Sequence, residues 1–345
     1  MNFHLYITKK LNLTQRYMTY KPIIIVSGEP FSIFLEIFFK SLKDKEIKKI
    51  KNPIIIICSK NLLLSQMKKM NFRYQINSIN LKKIKFKKMN NKKINLIDVN
   101  FNFNKPFAKI SSKSREYISK SIDIALDLIK EEKIKILING PISKPFFLNK
   151  KFPGMTEYFS YKTKCTGKEV MLIYNKNLSV SPLTTHVPLK KVFKNISKEK
   201  LIKQIITINN FYKKNLKIIP KIAVTGLNPH CESTDSISEE EKIIKPAIKI
   251  LKKNKIKIFG PFPADTIFLK RNYKNFNTIV GMYHDQVLVP IKTIYSFKAI
   301  NITLGLPFLR VTPDHGTNNQ MIGKNLSSPI SLIESILFAK KISDN

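Results

Sequence analysis

Three of the five histidines lie in short segments that each follow a predicted β-strand. They are His186 in TTHVP, His230 in NPHCE and His284 in MYHDQ. Neutral imidazoles from three strand ends can bind one divalent ion and leave a coordination position open, as a catalytic metal site requires. No HxH or HExxH spacing supports such a site, so each histidine taken alone is more simply a lone loop or core residue.

The other histidines and the cysteines carry weaker signals. His4 lies near the N-terminus and receives no role, while His315, in PDHGTNN, suits either a ligand-binding loop or a turn. The three cysteines are widely spaced and form no CxxC pair, which favours a reducing cytoplasm over a disulfide framework or a zinc ribbon. Cys231 follows His230 in an expected extended loop, where neighbouring side chains point apart, and is therefore interpreted as inert.

The apolar pattern alternates between strands and helices. Strands are predicted at 22–26, 53–58, 133–140, 169–174, 178–184, 220–228, near 257 and at 277–282, and helices at 31–43, 114–132, 198–214, 238–253 and 329–341. Residues 81–105 predict an irregular surface segment with one short strand. Such alternation indicates an α/β fold with a largely parallel sheet, and the length suggests two lobes.

Unusual polar segments fall at the ends of these strands. They are SGEP, NGPISKP, TTHVP, GLNPHCE, GPFPADT and MYHDQ. Ligands of open α/β sheets bind outside the carboxyl ends of the strands. We therefore expect these segments to form one site.

The formal net charge of +39 invites a nucleic-acid-binding interpretation. Only five of the 62 basic residues are arginine, however, and nucleic-acid surfaces usually exploit the planar guanidinium. Abundant Lys, Ile and Asn with no Trp and ten Gly indicate a compositional bias towards AT-rich codons instead. Nucleic-acid binding is therefore disfavoured, and the lack of an apolar run of about 18 residues argues against a membrane span.

Seven motifs, taken together, resemble the PdxA family of 4-hydroxythreonine-4-phosphate dehydrogenases over about residues 22–340. In order they are GPISKPFF with FPGMTEY, TTHVPL, GLNPHCE, GPFPADTIF, MYHDQVLVPIK, NITLGLPFLR and DHGT. The resemblance implies a two-lobed fold like that of isocitrate and isopropylmalate dehydrogenases, with the active site in the inter-lobe cleft. It also implies a cytoplasmic homodimer whose subunits share their active sites.

We divide the chain accordingly into a basic N-terminal extension and two lobes. The extension covers residues 1–20, and the first α/β lobe, on the cofactor side, covers 21–135 plus 296–345. The second lobe, 136–295, is expected to hold the metal site and the dimer interface.

The resemblance also assigns roles to individual residues. It implies one divalent ion (Zn, Mg, Mn or Co) bound by His186, His230 and His284, with His284 supplied by the partner subunit. Asp265, Asp285 and Lys144 become catalytic candidates, although either aspartate also suits a helix cap or a turn. The substrate positions are Met155, Thr156, Lys292, Asn301 and Arg310, and NAD is expected along the loop 313–324, at His315, Gly316 and Thr317.

The implied reaction is the NAD-dependent oxidation of 4-phosphohydroxy-L-threonine, followed by decarboxylation to 3-amino-2-oxopropyl phosphate, in pyridoxal phosphate biosynthesis. Lys292 and Arg310 suit the phosphate and carboxylate of such a substrate. The chain departs from the family at Met155, where the family has His, and at Phe31, Ser32 and Phe34 in a turn that is otherwise glycine-rich. A decayed enzyme and a member with a shifted substrate therefore remain alternatives.

Overall fold

The computed structural model describes residues 20–344 except 84, 85, 87, 88, 150 and 233–237, so most of the predicted N-terminal extension lies outside the described residues. The described strands are β1 (Ile23–Val26), β2 (Ile54–Cys58), β3 (Ile76–Ser78), β4 (Ile94–Asp98), β5 (Ile136–Asn139), β6 (Val170–Tyr174), β7 (Ser179–Thr184), β8 (Ile222–Thr225), β9 (Ile258–Phe262), β10 (Thr278–Tyr283), β11 (Ile300–Leu304) and β12 (Leu309–Thr312).

The described α-helices are α1 (Phe34–Ser41), α2 (Lys45–Lys48), α3 (Lys60–Lys69), α4 (Arg115–Glu131), α5 (Lys144–Phe147), α6 (Met155–Lys162), α7 (Lys198–Phe211), α8 (Lys245–Lys253), α9 (Ala264–Ile267), α10 (Lys270–Tyr273), α11 (His284–Tyr295) and α12 (Ile330–Asp344). Short π-helical turns continue α7 over Tyr212–Leu216 and precede α8 over Glu240–Ile244. Over the described residues, no helix is both long and apolar enough to cross a bilayer.

All twelve strands belong to one sheet, in the order β3-β4-β2-β1-β5-β12-β11-β6-β7-β10-β8-β9. In this order, all neighbouring strands from β3 to β12 and from β7 to β9 pair in parallel. In between, β11 pairs antiparallel with both β12 and β6, and β6 pairs antiparallel with β7. The prediction of an α/β fold with a largely parallel sheet is therefore confirmed. The division into two lobes stays a prediction.

The central strands are buried on both faces, which explains their unbroken runs of isoleucine and valine. Ile23 and Ile25 of β1 pack in one core cluster with α1 and α12, while Ile24 and Val26 pack in a second cluster with α4. Each side chain of β1 is at most 1% exposed. Alternate residues of a single strand thus join helices on both faces to the sheet.

The turns that follow β1 and β5 meet closely because both contain glycine. Gly28 adopts a φ of 75°, and a Cβ there would collide with the carbonyl oxygen of Pro141. A Cβ at Gly140 would collide with the carbonyl oxygen of Ser27. This close approach brings the carboxyl ends of the two strands to one side of the candidate site.

Several elements differ from the sequence prediction. Helices α3 and α6 and strands β11 and β12 were not predicted, and neither was α11, whose segment HDQVLVPIKTIY contains Pro290 and β-branched residues. Val287 and Ile291, one turn apart, are both fully buried in α11. Their burial against the sheet stabilises the helix despite the weak local propensity.

Candidate active site

A cavity of about 450 Å³ lies where β5, β7 and β12 end and β11 begins. Because β11 runs antiparallel to β12, with Asn301 opposite Thr312, the start of β11 lies at the same edge of the sheet as the end of β12. The predicted site residues that line the cavity are Lys144, Met155, Thr156, His186, Asn301, Arg310, His315 and Gly316. This cavity thus agrees with the expectation of a site at the carboxyl ends of strands.

Arg310 on β12 is the best-defined side chain in this cavity, and it is only 4% exposed. Its Nε donates a hydrogen bond of 2.7 Å to Oδ1 of Asn139, and its Nη1 donates to Oγ1 of Thr303 at 3.0 Å and of Thr156 at 3.4 Å. The guanidinium carbon lies 5.1 Å from the centroid of the Phe159 ring, within cation–π range. We call these five residues the Arg310 wall.

The partners of Arg310 are all neutral, and no ion pair joins it to a carboxylate within the part of the chain that the structure describes. Burial lowers the pKa of Arg310 to about 10, an effect that the charge of nearby Glu157 opposes. The guanidinium therefore keeps its charge at neutral pH. A buried cation held only by neutral groups is poised to bind an anion.

Asn301 and His315 each bring an unpartnered polar atom to the cavity. Oδ1 of Asn301 and Nε2 of His315 are buried without a hydrogen-bond partner among the described residues. Burial lowers the pKa of His315 to about 4, so its ring is neutral. Met155, at the first position of α6, is 8% exposed and presents an apolar surface to the same space.

The three predicted metal ligands follow three neighbouring parallel strands. His186 follows β7 by two residues, His284 comes directly after β10, and His230 lies beyond β8. Strand β10 pairs in parallel with both β7 and β8, so the three histidines belong to one edge of the sheet. We call this group the histidine edge.

Two of these imidazoles lie side by side, with the ring centroids of His186 and His284 6.3 Å apart. Nδ1 of His284 lies 2.6 Å from Oδ1 of Asp285. Because a carboxylate accepts, Nδ1 is the donor in this contact, which leaves Nε2 as the nitrogen available to an ion. Burial, and then the charge of Lys144, lower the pKa of His186, which favours the neutral form that a metal ligand requires.

His230 differs from the other two. It is exposed, and both it and Cys231 adopt left-handed backbone conformations, with φ of 57° and 59°, in place of the extended loop that was expected. Asp265 is exposed at the neighbouring α9, and its charge contributes, after burial, to a raised pKa of the Cys231 thiol. Across the described residues, no group of three or more His, Cys, Asp or Glu side chains is arranged to hold an ion.

Comparisons with known proteins place this chain in a family. A family model described as Pyridoxal phosphate biosynthetic protein PdxA matches residues 49–339. The chain belongs to the PdxA family. Its 4-hydroxythreonine-4-phosphate dehydrogenase relative from Sulfurihydrogenibium sp. is 37% identical over 92% of this chain and 97% of that protein, and the one from Wigglesworthia glossinidia brevipalpis is 33% identical over 90% and 95%.

A crystal structure of 4-hydroxythreonine-4-phosphate dehydrogenase from Klebsiella pneumoniae has a TM-score of 0.80 at 26% identity, covering 94% of this chain and 99% of that one. These similarities confirm the family, the fold and the enzyme class predicted from the motifs. They do not test the roles of individual residues, which stay predictions.

Lys292 and Asp285, two of the residues assigned from PdxA motifs, lie outside the cavity lining. Lys292 on α11 forms an ion pair with Asp314, in the loop after β12, and Asp285 is exposed beside His284. Thr317 contributes its backbone, since its carbonyl accepts from the N–H of Ile33 at 3.3 Å. The loop of residues 313–324 therefore contacts the turn before α1, where the chain departs from the PdxA pattern.

Sequence reasoning missed three residues of this PdxA site. Asn139 and Thr303 hold the guanidinium of Arg310, and Glu157 lines the cavity next to Thr156. Asn139 could have been found as the polar end of the apolar strand ILIN, and Glu157 as the last residue of the altered GMTE motif. Thr303 carries no signal in the sequence because threonine is common in strands.

Proposed function

We propose that the chain oxidises the 3-hydroxyl of 4-phosphohydroxy-L-threonine with NAD, and that the 3-oxo acid then loses CO2 to give 3-amino-2-oxopropyl phosphate. The observation that carries this proposal is the buried Arg310, whose hydrogen-bond partners are all neutral. Its guanidinium suits a phosphate or carboxylate, and both are present in this substrate. Thr156 and Asn301 line the same cavity and supply neutral hydrogen-bonding groups that orient the ligand.

A divalent ion is part of the proposal, and His186, His284 and His230 would hold it. The two adjacent imidazoles fit such an ion, with Asp285 orienting His284, while burial and the Lys144 charge favour the unprotonated form of His186. When bound, the ion would polarise the substrate hydroxyl and stabilise the negative charge that develops during oxidation and decarboxylation. The proposal keeps the expectation that one of these ligands, His284, comes from the partner subunit.

NAD fits along the loop of residues 313–324. A Cβ at Gly316 would meet no described atom within 4 Å, so the space beside the loop is open. Neutral His315 lies next to it, with its ring centroid 6.2 Å from that of Phe34. The bound nicotinamide would accept the hydride from the substrate carbon.

The proposal includes a homodimer with shared sites, in the cytoplasm. Mixing His186→Ala with His284→Ala protein tests the sharing directly, because His284 is the ligand expected from the partner subunit. If ligands from two subunits build each site, mixed dimers of the two inactive variants recover activity. If each subunit holds a complete site, the mixture stays as inactive as its parts.

The activity itself is tested by the absorbance of NADH during incubation of the metal-loaded protein with 4-phosphohydroxy-L-threonine and NAD. We expect turnover that stops when a chelator removes the metal and returns when the metal is restored. A folded, metal-loaded protein without turnover would refute the proposal and favour the decayed enzyme. Turnover of a different phosphorylated hydroxy acid alone would instead identify a substrate-shifted member.

A further inference from the structure

The carboxylate of Glu157 lies at the cavity but is not among the residues assigned to the metal, the substrate or the cofactor. Glu157 lies in the first turn of α6, directly after Thr156, and lines the cavity together with Arg310 and His186. Glu169 also lines the cavity, but its Oε2 already accepts a hydrogen bond of 2.8 Å from Ser160. Oε2 of Glu157, in contrast, is buried and has no hydrogen-bond partner among the residues that the structure describes.

Oε2 of Glu157 lies close to the imidazole of His186. A Cβ at Gly154 would lie 2.9 Å from Oε2 of Glu157 and 3.7 Å from Cε1 of His186. Glycine at position 154 therefore allows the carboxylate and the imidazole to approach the same point. Burial lowers the pKa of both His186 and Arg310, and the charge of Glu157 opposes the shift in both.

An unpaired carboxylate in such a place requires a partner. Removing a charged group from water without compensation is costly, and the described part of the chain provides Glu157 with no ion pair. A cationic group of the ligand that binds there offsets the cost of desolvating the carboxylate. The proposed substrate has one such group, the ammonium on C2, one carbon from the hydroxyl that is oxidised.

We propose that Glu157 binds the 2-ammonium group of the substrate and thereby selects a 2-amino acid over the corresponding 2-hydroxy acid. This inference rests on the proposed function, because it takes the substrate to lie between the Arg310 wall and His186. Arg310 binds an anionic end of the ligand, and the carboxylate of Glu157 accepts from the cationic substituent. A hydroxyl in place of the ammonium leaves the carboxylate uncompensated, which penalises the wrong substrate.

The test compares 4-phosphohydroxy-L-threonine with 2,3-dihydroxy-4-phosphobutanoate, which has a hydroxyl in place of the amino group. We expect Glu157→Gln to lower kcat/KM for the amino substrate about 10- to 100-fold, the range for a hydrogen bond between charged groups. The value for the dihydroxy compound should stay the same or rise, because glutamine removes the uncompensated charge and still hydrogen-bonds the hydroxyl. Glu157→Asp keeps the charge and retains a preference for the amino substrate.

Glu131→Gln is the matched control, since it removes the same charge from the exposed end of α4 and should change neither value. An equal loss for both substrates in Glu157→Gln would overturn the inference and indicate a structural or chemical role. Loss of bound metal in Glu157→Gln would also overturn it, because the carboxylate would then belong to the ion. Thermal unfolding of each variant confirms that it is folded.

Calorimetric binding of the two compounds separates this inference from the proposed reaction. If the wild type oxidises neither compound but binds the amino compound more tightly, and Glu157→Gln abolishes that difference, the reaction is wrong and the role of Glu157 stands. If the wild type binds both compounds equally, the role of Glu157 is wrong whatever the enzyme oxidises.

Discussion

The Arg310 wall and the histidine edge meet at one cavity, which His186 lines together with Arg310, but they differ in how completely a single chain builds them. In the wall, a guanidinium that is 4% exposed is fixed by three side-chain hydrogen bonds and an aromatic ring. At the edge, two imidazoles lie together while His230 occupies a separate, exposed turn. The side chains of one subunit make all the contacts of the wall, whereas the edge needs an ion, a partner subunit or both to complete it.

This difference follows from where the residues sit in the sheet. The residues of the wall lie on strands β5, β11 and β12 and on α6. The register of the paired strands fixes the strand side chains relative to one another. The histidines come from segments after strand ends, where fewer backbone hydrogen bonds restrain the chain. We infer that substrate anion binding is preorganised and that metal binding orders the edge.

The largest expected effect comes from breaking the wall. Arg310→Met should lower kcat/KM by about two to four orders of magnitude, mainly through KM, because two charge-assisted hydrogen bonds to the anion are lost. Steady-state kinetics with NAD and the phosphorylated substrate measure this effect. Arg271→Met, on exposed α10, removes the same kind of charge and should leave both constants unchanged. Equal losses in the two variants would show that overall charge, not the wall, matters.

A smaller effect is expected at the histidine edge. Asp285→Asn removes the carboxylate that fixes the Nδ1 proton of His284, and it should weaken metal affinity about 10- to 100-fold. His284→Ala, which removes the ligand itself, should weaken it further. Metal titration of the stripped protein measures both, with Asp127→Asn on the exposed side of α4 as the control. Unchanged affinity in His284→Ala would exclude it as a ligand.

Substitution of Met155 tests whether this methionine, in place of the family histidine, limits the activity. Met155→His restores the family residue and should raise kcat/KM about tenfold, since the imidazole can donate a hydrogen bond that the thioether cannot. The same change places a polar ring at a position that is 8% exposed, so the free energy of unfolding should fall by about 1 kcal/mol. Met155→Leu keeps an apolar side chain and should change neither. Lower activity in Met155→His would indicate a pocket adapted to methionine.

The smallest effect concerns the pH dependence of stability. Burial lowers the pKa of His315 to about 4, so between pH 4 and 6.5 the unfolded chain binds more protons there than the folded one. The contribution of neutral His315 to the free energy of unfolding is therefore complete above pH 6.5 and is lost as the pH falls towards 4. It amounts to about 1 to 2 kcal/mol, since part of the ring contacts solvent.

His315→Asn should remove this dependence. The difference in unfolding free energy between wild type and variant, measured by denaturant titration at several pH values, should shrink as the pH falls from 7 to 4.5. Parallel curves over this range would contradict the buried, neutral state of His315.

Much of the fold could be predicted from the sequence because the buried strands are continuous apolar runs and the amphipathic helices repeat regularly. Helix α11 could not be predicted, since its stability comes from burying Val287 and Ile291 and not from local propensity. Strands β11 and β12 were missed for a related reason. They carry Asn301 and Arg310, polar residues that interrupt the apolar pattern.

The site was predictable in position but not in detail. Several of the polar segments at strand ends line the cavity, and the PdxA motifs selected Arg310 and Thr156, which contact each other. The support for Arg310 from Asn139 and Thr303 depends on strand register across the sheet, which a single sequence does not encode locally. The ion pair between Lys292 and Asp314 likewise depends on how the chain returns after β12.

The central claim is that the anion-binding wall is complete before the metal binds, and that oxidation depends on the histidine edge. Calorimetric titration of metal-stripped protein with 4-phosphohydroxy-L-threonine tests it most directly. We predict measurable binding without metal, lost in Arg310→Met. Binding that appears only after metal is added would contradict the claim and make the ion, not Arg310, the anchor of the substrate.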